Sequence, residues 1–315
     1  MTVPFTGVPL SEHPDLYRRT EALGYDDLWS SETPNGTDGF TTLATAVPVT
    51  ERMRLATGIV NPYTRGPSVL AQTAATLQEA SGGRFVLGLG ASSNIAVERF
   101  NGLPFEKPLT RVREAVEHVR PVLSVPAGKG FGGLRLERPV TTPVPIVLAA
   151  LRAKMLGLAG SIADGAFTNF LPLSGLPQVV AAHRAGEAQA ERPVGATELV
   201  CRFFVIPGDP DQGAMLARGM FSAYGSVPVY AQFFRWLGWA QQLDPMVEAA
   251  DAGDRKRAAE LAPQELISEI FVLGSPEQIR ERLQQFVDGG ITTVVLAPIC
   301  APEQLPGLLD ALAPR

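Results

Sequence analysis

The chain is poor in the residues that carry most small-site chemistry. It holds two cysteines, Cys201 and Cys300, and three histidines, His13, His118 and His183. Each cysteine lies in an apolar, strand-like stretch far from the other, and the two read as small buried hydrophobes. The histidines lack HExxH-type spacing, so no metal site is expected. Each falls in or beside an expected surface helix and reads as solvated, which argues against histidine-based acid–base chemistry. No GxSxG elbow and no P-loop is present, which removes the common hydrolase and kinase readings.

Long apolar runs are also missing. Residues 146–151 and 294–297 are the kind of run present, far short of the ~20 residues that span a bilayer. Met1-Thr2-Val3-Pro4-Phe5 has no basic start, so a secretory leader is not expected and a cytoplasmic setting is. The formal net charge of −5 disfavours nucleic acid as a partner, because phosphate binding calls for a basic surface.

What the chain does have is alternation. Short apolar runs at residues 3–8, 27–30, 54–60, 84–89, 144–149, 165–169, 198–206 and 292–297 read as strands, with amphipathic helices between them. Eight strands, each followed by a helix, predict an α/β fold of the (β/α)8 TIM-barrel type over residues 1–315 as one domain. Insertions follow strands four and seven. The first spans a loop at 90–108, and beyond the next helix a hairpin is expected at 134–142. The second is a helical stretch at 210–273, rich in aromatics at Phe233, Phe234, Trp236 and Trp239. Gly88-Leu89-Gly90-Ala91-Ser92-Ser93 has the start of a dinucleotide loop but not its third glycine or its prompt helix, and a doubly wound sheet is disfavoured.

Small and polar residues gather where strands end: Ser30-Ser31-Glu32-Thr33, then residues 57–65, 90–94 and 149–152, then Thr168-Asn169. A barrel places its active site at this rim.

These residues resemble the bacterial luciferase-like superfamily, in its deazaflavin-dependent branch. The likeness runs from Leu23-Gly24-Tyr25-Asp26-Asp27-Leu28-Trp29 to Thr292-Thr293-Val294-Val295-Leu296. Its sharpest pieces are Ala56-Thr57-Gly58-Ile59-Val60-Asn61-Pro62-Tyr63-Thr64-Arg65 and Gly82-Gly83-Arg84-Phe85-Val86-Leu87-Gly88-Leu89-Gly90. Leu158-Ala159-Gly160-Ser161-Ile162-Ala163-Asp164-Gly165 and Gly274-Ser275-Pro276-Glu277-Gln278 belong to it too.

The resemblance implies an oxidoreductase that moves a hydride between coenzyme F420 and a small organic substrate, as a homodimer. It implies a cis peptide at Gly58–Ile59 behind the ring, with Thr57 and Asn61 beside it. Glu32 and Thr33 would be catalytic, with Glu32 at the ring edge. Gly90, Ser92 and Asn94 would reach the ring or ribityl chain. Ala150, Leu151 and Arg152 would meet the phosphate with free backbone N–H groups and a guanidinium, and Asn169 would assist. Arg65 and Arg111 are weaker candidates for the acidic tail and read as solvated. The chain departs from the pattern in three places. Thr33 replaces a common histidine, Leu151-Arg152 replaces paired glycines, and Leu171-Pro172 stands where relatives offer a phosphate-binding lysine. One alternative is an FMN-dependent monooxygenase using molecular oxygen; another is a ligand-binding barrel without catalysis. The aromatic-rich segment 224–239 would wall a substrate pocket or pack a dimer.

Overall fold

The computed structural model describes residues 1–33 and 36–314. Among the described residues nine parallel strands form one curled sheet: β1 Thr2–Val3, β2 Asp27–Ser30, β3 Arg54–Thr57, β4 Phe85–Leu89, β5 Ile146–Ala149, β6 Gly165–Asn169, β7 Glu198–Pro207, β8 Val272–Gly274 and β9 Thr293–Pro298. Helices alternate with them. Between β1 and β6 run α1 His13–Ala22, α2 Gly39–Ala46, α3 Pro67–Ala80, α4 Pro108–Val119 and α5 Ala153–Ile162. After β6 come α6 Leu176–Gln189, then α7 Pro210–Tyr224, α8 Pro228–Trp236, α9 Ala240–Asp251, α10 Arg255–Glu260 and α11 Gln264–Ile270. After β8 come α12 Pro276–Asp288 and α13 Leu305–Ala311. Strands β1 to β7 pair in chain order, β9 takes the free edge of β7, and β9 lies against β1 to close the barrel. Among the described residues no helix is long and apolar enough to cross a membrane.

The expected eight strands are present, and a ninth joins them. Val205 of β7 pairs with both Val272 of β8 and Pro298 of β9, so those two strands occupy opposite edges. Strand β8 therefore sits on the β6 edge, above the last β6 partner, Asn169↔Arg202. It returns the α7–α11 insertion to the rim of the barrel.

Three sequence expectations change for physical reasons. The first strand stops at Val3, because Pro4 has no N–H to continue a ladder. Strand β3 ends at Thr57, where the Gly58–Ile59 peptide is cis, and Val60 rejoins β4 as a single bridge to Leu89. No hairpin forms at 134–142. Leu134 and Leu136 alternate with exposed neighbours, but Pro139 interrupts the stretch and removes a ladder donor from its middle.

Side chains alternate in and out along each strand. Trp29, Ala56, Val86, Val147, Phe167, Val200 and Val295 point inward and fill the barrel as an apolar plug, with the Trp29 and Phe167 rings 5.1 Å apart. Below it, Arg54 clamps both carboxylate oxygens of Asp27 at 2.7 Å and reaches Glu198 at 2.6 Å. Outward residues such as Leu28, Leu55, Leu87, Leu148 and Phe203 join the larger core under the helices.

Two histidines expected on the surface are buried. His13 accepts a hydrogen bond from the Phe5 N–H and pairs through Nδ1 with the Pro9 carbonyl. His183 meets the Thr197 hydroxyl at 2.8 Å, and that hydroxyl donates to Glu187 at 2.7 Å. His13 organises the turn that follows β1, and His183 the turn that leads into β7. His118, half-buried, lies on the Phe131 ring. Cys201 is buried as expected, whereas Cys300 is partly open.

Candidate active site

Two residues further along each strand from the plug, the inward positions are Ser31, Gly58, Gly88, Ala149, Asn169, Arg202 and Ala297. The step from Trp, Phe and Val to Gly, Ala and Ser replaces large side chains by small ones at several positions of the barrel mouth above the plug. The β3–β5 side of this mouth is lined by backbone. A Cβ on Gly58 would touch Trp29 and Phe167 at 3.3–3.5 Å, and one on Gly88 would fall 1.8 Å from the Thr57 carbonyl oxygen. A Cβ on Gly90 would meet Ala149 at 2.7 Å and Ile59 at 2.9 Å. At Gly88 glycine is required, because neighbouring backbone comes this close.

The opposite side is cationic and aromatic. Arg202 donates from Nη1 to Ser31 Oγ at 2.6 Å and from Nε to Asn169 Oδ1 at 3.3 Å, and it lies over the Phe204 ring at 5.2 Å. Its reach from β7 to the end of β2 passes β9 and β1. Asn169 also hydrogen-bonds Tyr230 of α8, whose hydroxyl is pushed up by burial despite Arg202 and Asn169. Phe170 joins Phe204, Tyr224, Tyr230 and Phe271 in one ring cluster, with centroids 4.8–6.1 Å from its own. The aromatic insertion thus supplies a wall to the mouth through Tyr224 and Tyr230. Phe233 and Phe234 are core residues instead.

The expected site residues separate into groups. Glu32 is fully engaged: Arg65 donates to its two oxygens at 2.6 and 2.7 Å, and the Gly39 N–H donates at 3.2 Å. Arg65 also meets Asp38, so it is a paired and largely buried cation, not the solvated one expected. Thr33 is exposed beyond the pair. Thr57 turns its hydroxyl to β4, donating to the Gly88 carbonyl at 2.9 Å and accepting from the Gly88 N–H at 2.8 Å. Asn61 spends its Oδ1 on the N–H groups of Tyr63 and Thr64 and on the Thr64 hydroxyl. Both are braces of the β3 rim. The cis bond implied at Gly58–Ile59 is present. Gly90 is buried at the rim, Ser92 has a positive φ of 64°, and Asn94, itself exposed, heads a π-helical turn, Ile95–Arg99, that buries Ala96 and Val97.

At the end of β5 the expectation needs correction. The Ala150 N–H is used by the Phe167 carbonyl at 2.9 Å, so it is not free for a phosphate. Helix α5 begins later: Met155 and Leu156 make its first bonds, to the Arg152 carbonyl, and no side chain caps it. The N–H groups of Ala153 and Lys154 precede that ladder and carry the positive end of the helix dipole. Arg152 and Lys154 are both exposed there, with no ion pair among the described residues, and Leu151 is half-buried beside them. Lys154 was missed by sequence reading. Arg202 was missed too, although a lone arginine inside Leu199-Val200-Cys201-Arg202-Phe203-Phe204 is a visible signal.

A barrel whose glycine-lined mouth lies between an open helix N-terminus and an aromatic wall is matched, over residues 3–293, by the family model of luciferase-like monooxygenases. The chain belongs to that family. Among curated luciferase-like relatives, a Mycobacterium tuberculosis protein named provisionally as a coenzyme F420-dependent oxidoreductase is 28% identical, covering 91% of each chain. The 5,10-methylenetetrahydromethanopterin reductase of Archaeoglobus fulgidus is 29% identical over 90% of this chain and 88% of its own. Among solved structures, the coenzyme F420-dependent tetrahydromethanopterin reductase of Methanopyrus kandleri superposes with a TM-score of 0.78 at 22% identity, over 99% of this chain and 96% of that one. This last likeness carries the luciferase-like barrel.

Proposed function

We propose that the chain is a coenzyme F420-dependent oxidoreductase that moves a hydride between the deazaflavin and a small organic substrate at the barrel mouth. The carrying observation is the uncapped start of α5, with Arg152 and Lys154 beside it, next to a wall built from Gly58, Gly88, Gly90 and Ala149. That wall suits a flat ring, and the helix start suits a phosphate. The names of the relatives point the same way.

When bound, the deazaflavin supplies the hydride chemistry, and the chain supplies placement and electrostatics. Gly58 and Ile59 would back one face of the ring, and Ser92 and Asn94 lie on the loop that closes over the β4 end. The N–H groups of Ala153 and Lys154, with Arg152, would hold the phosphate. Asn169, Arg202 and Tyr230 form the polar side of the mouth and would orient the substrate. Glu32 is tied to Arg65 and acts by holding the β2 and β3 rims together, which leaves Tyr230 as the better placed proton donor. A tyrosine hydroxyl carries its proton at neutral pH, and burial pushes the pKa of Tyr230 further up.

The second reading is an FMN-dependent monooxygenase using molecular oxygen, which the family's description as luciferase-like monooxygenases supports in its reaction class alone. Both cofactors carry a phosphate, but the deazaflavin adds an acidic tail. The test is a parallel fluorescence titration of purified protein with coenzyme F420 and FMN. Selective micromolar F420 binding supports the proposal; selective FMN binding moves the chain to the second reading; binding of neither leaves a barrel without this chemistry. A homodimer belongs to the proposal, checked by light scattering.

A further inference from the structure

Arg202 is a cation without a counter-ion. It lies inside the barrel mouth, largely withdrawn from water, yet no carboxylate pairs with it among the described residues. Glu32, an acid on the same rim, is occupied by Arg65. Charged side chains in such positions are almost always paired, because desolvating an unpaired charge costs several kcal/mol. Burial holds the Arg202 guanidinium below the usual arginine range, with the phenols of Tyr224 and Tyr230 opposing this.

The partners Arg202 does have fix its orientation without neutralising it. Ser31 Oγ and Asn169 Oδ1 take Nη1 and Nε, and the Phe204 ring supports one face. Nη2 has no hydrogen-bond partner among the described residues. The fork is therefore pre-set, with one nitrogen presented to the mouth. Around it stand Phe204, Tyr224 and Tyr230, all at least partly open, on a base of Phe170 and Phe271.

We propose that Arg202, Ser31, Asn169 and the Phe204–Tyr224–Tyr230 wall form a substrate subsite for a small monocarboxylate with a planar apolar body. One guanidinium nitrogen and no second cation suit a single negative charge, since phosphate-binding Arg152 and Lys154 lie at the β5 end. The ring wall suits an apolar body stacked beside the charge. The subsite rests on the mouth being the active site, as argued above, but not on which cofactor lies there.

The test is calorimetric titration of the cofactor-free protein with benzoate and with benzamide, its neutral counterpart. The expected result is benzoate bound at least about tenfold more tightly, the size of a charge-assisted hydrogen bond, with the preference abolished in Arg202→Met and reduced in Arg202→Lys. Equal affinity for the two probes, no benzoate binding, or a preference that survives both substitutions overturns the proposal. The last result would mean capture at the α5 start instead. If Arg202→Met does not fold, Arg202→Lys and the two probes on the unaltered protein carry the test. No cofactor enters this assay, so its failure and a failure of the deazaflavin titration are separate results.

Discussion

Arg65 holds Glu32 by both carboxylate oxygens, at 2.6 and 2.7 Å, and neither side chain is more than one-fifth exposed. A carboxylate so engaged is a poor proton relay. Glu32→Gln is expected to leave both limbs of the pH–rate profile in place while lowering stability. Loss of a limb would restore Glu32 to a catalytic role.

The same pair predicts non-additive stability. Arg65→Met leaves a largely buried carboxylate unpaired and is expected to cost about 2 kcal/mol or more in urea unfolding. Adding Glu32→Gln should return part of that loss. A double variant as unstable as the sum of the singles would show that the two residues do not act together.

The open start of α5 predicts an effect on binding with none on folding. Arg152→Ala and Lys154→Ala together should weaken deazaflavin binding about tenfold or more, the size of one or two charge-assisted contacts, and leave the melting temperature unchanged, since both side chains are exposed. Unchanged affinity would place the phosphate elsewhere.

Gly88 offers a sharper test of the β3–β4 rim. A methyl group there would sit 1.8 Å from the Thr57 carbonyl oxygen, a backbone atom that cannot swing away. Gly88→Ala is expected to cost about 3 kcal/mol or more, or to prevent folding. A melting temperature within a few degrees of the parent would contradict the close approach.

Acid should loosen the foot of the barrel through His183. Burial lowers its pKa from the ordinary 6.5, against the pull of Glu187. The unfolded chain then takes up a proton before the folded one does. The contribution is present above about pH 6.5 and is lost as pH falls through the folded value. Urea midpoints compared between pH 7.5 and 5.5 should fall less in His183→Asn than in the parent.

Much of the fold was legible because parallel strands buried on both faces are written as apolar runs, as at 85–89 and 146–149. Strand β8 was not, since three residues closing a helical insertion are too few to show a period. Among the site residues, Gly58 and Arg152 stood out in sequence. The engagement of Glu32 did not, because its partner is 33 positions away and the pairing exists only when the β2 and β3 rims meet. The burial of His13 was hidden for a related reason: its ligands are main-chain groups, Phe5 N–H and Pro9 C=O, which no side-chain pattern announces.

The seven plug residues, from Trp29 to Val295, make the mouth a cup with a sealed bottom. For the reaction proposed at this mouth, every reactant would arrive and leave by the same door. Whatever seats deepest would then enter first and depart last, an order of binding set by the shape of the barrel interior.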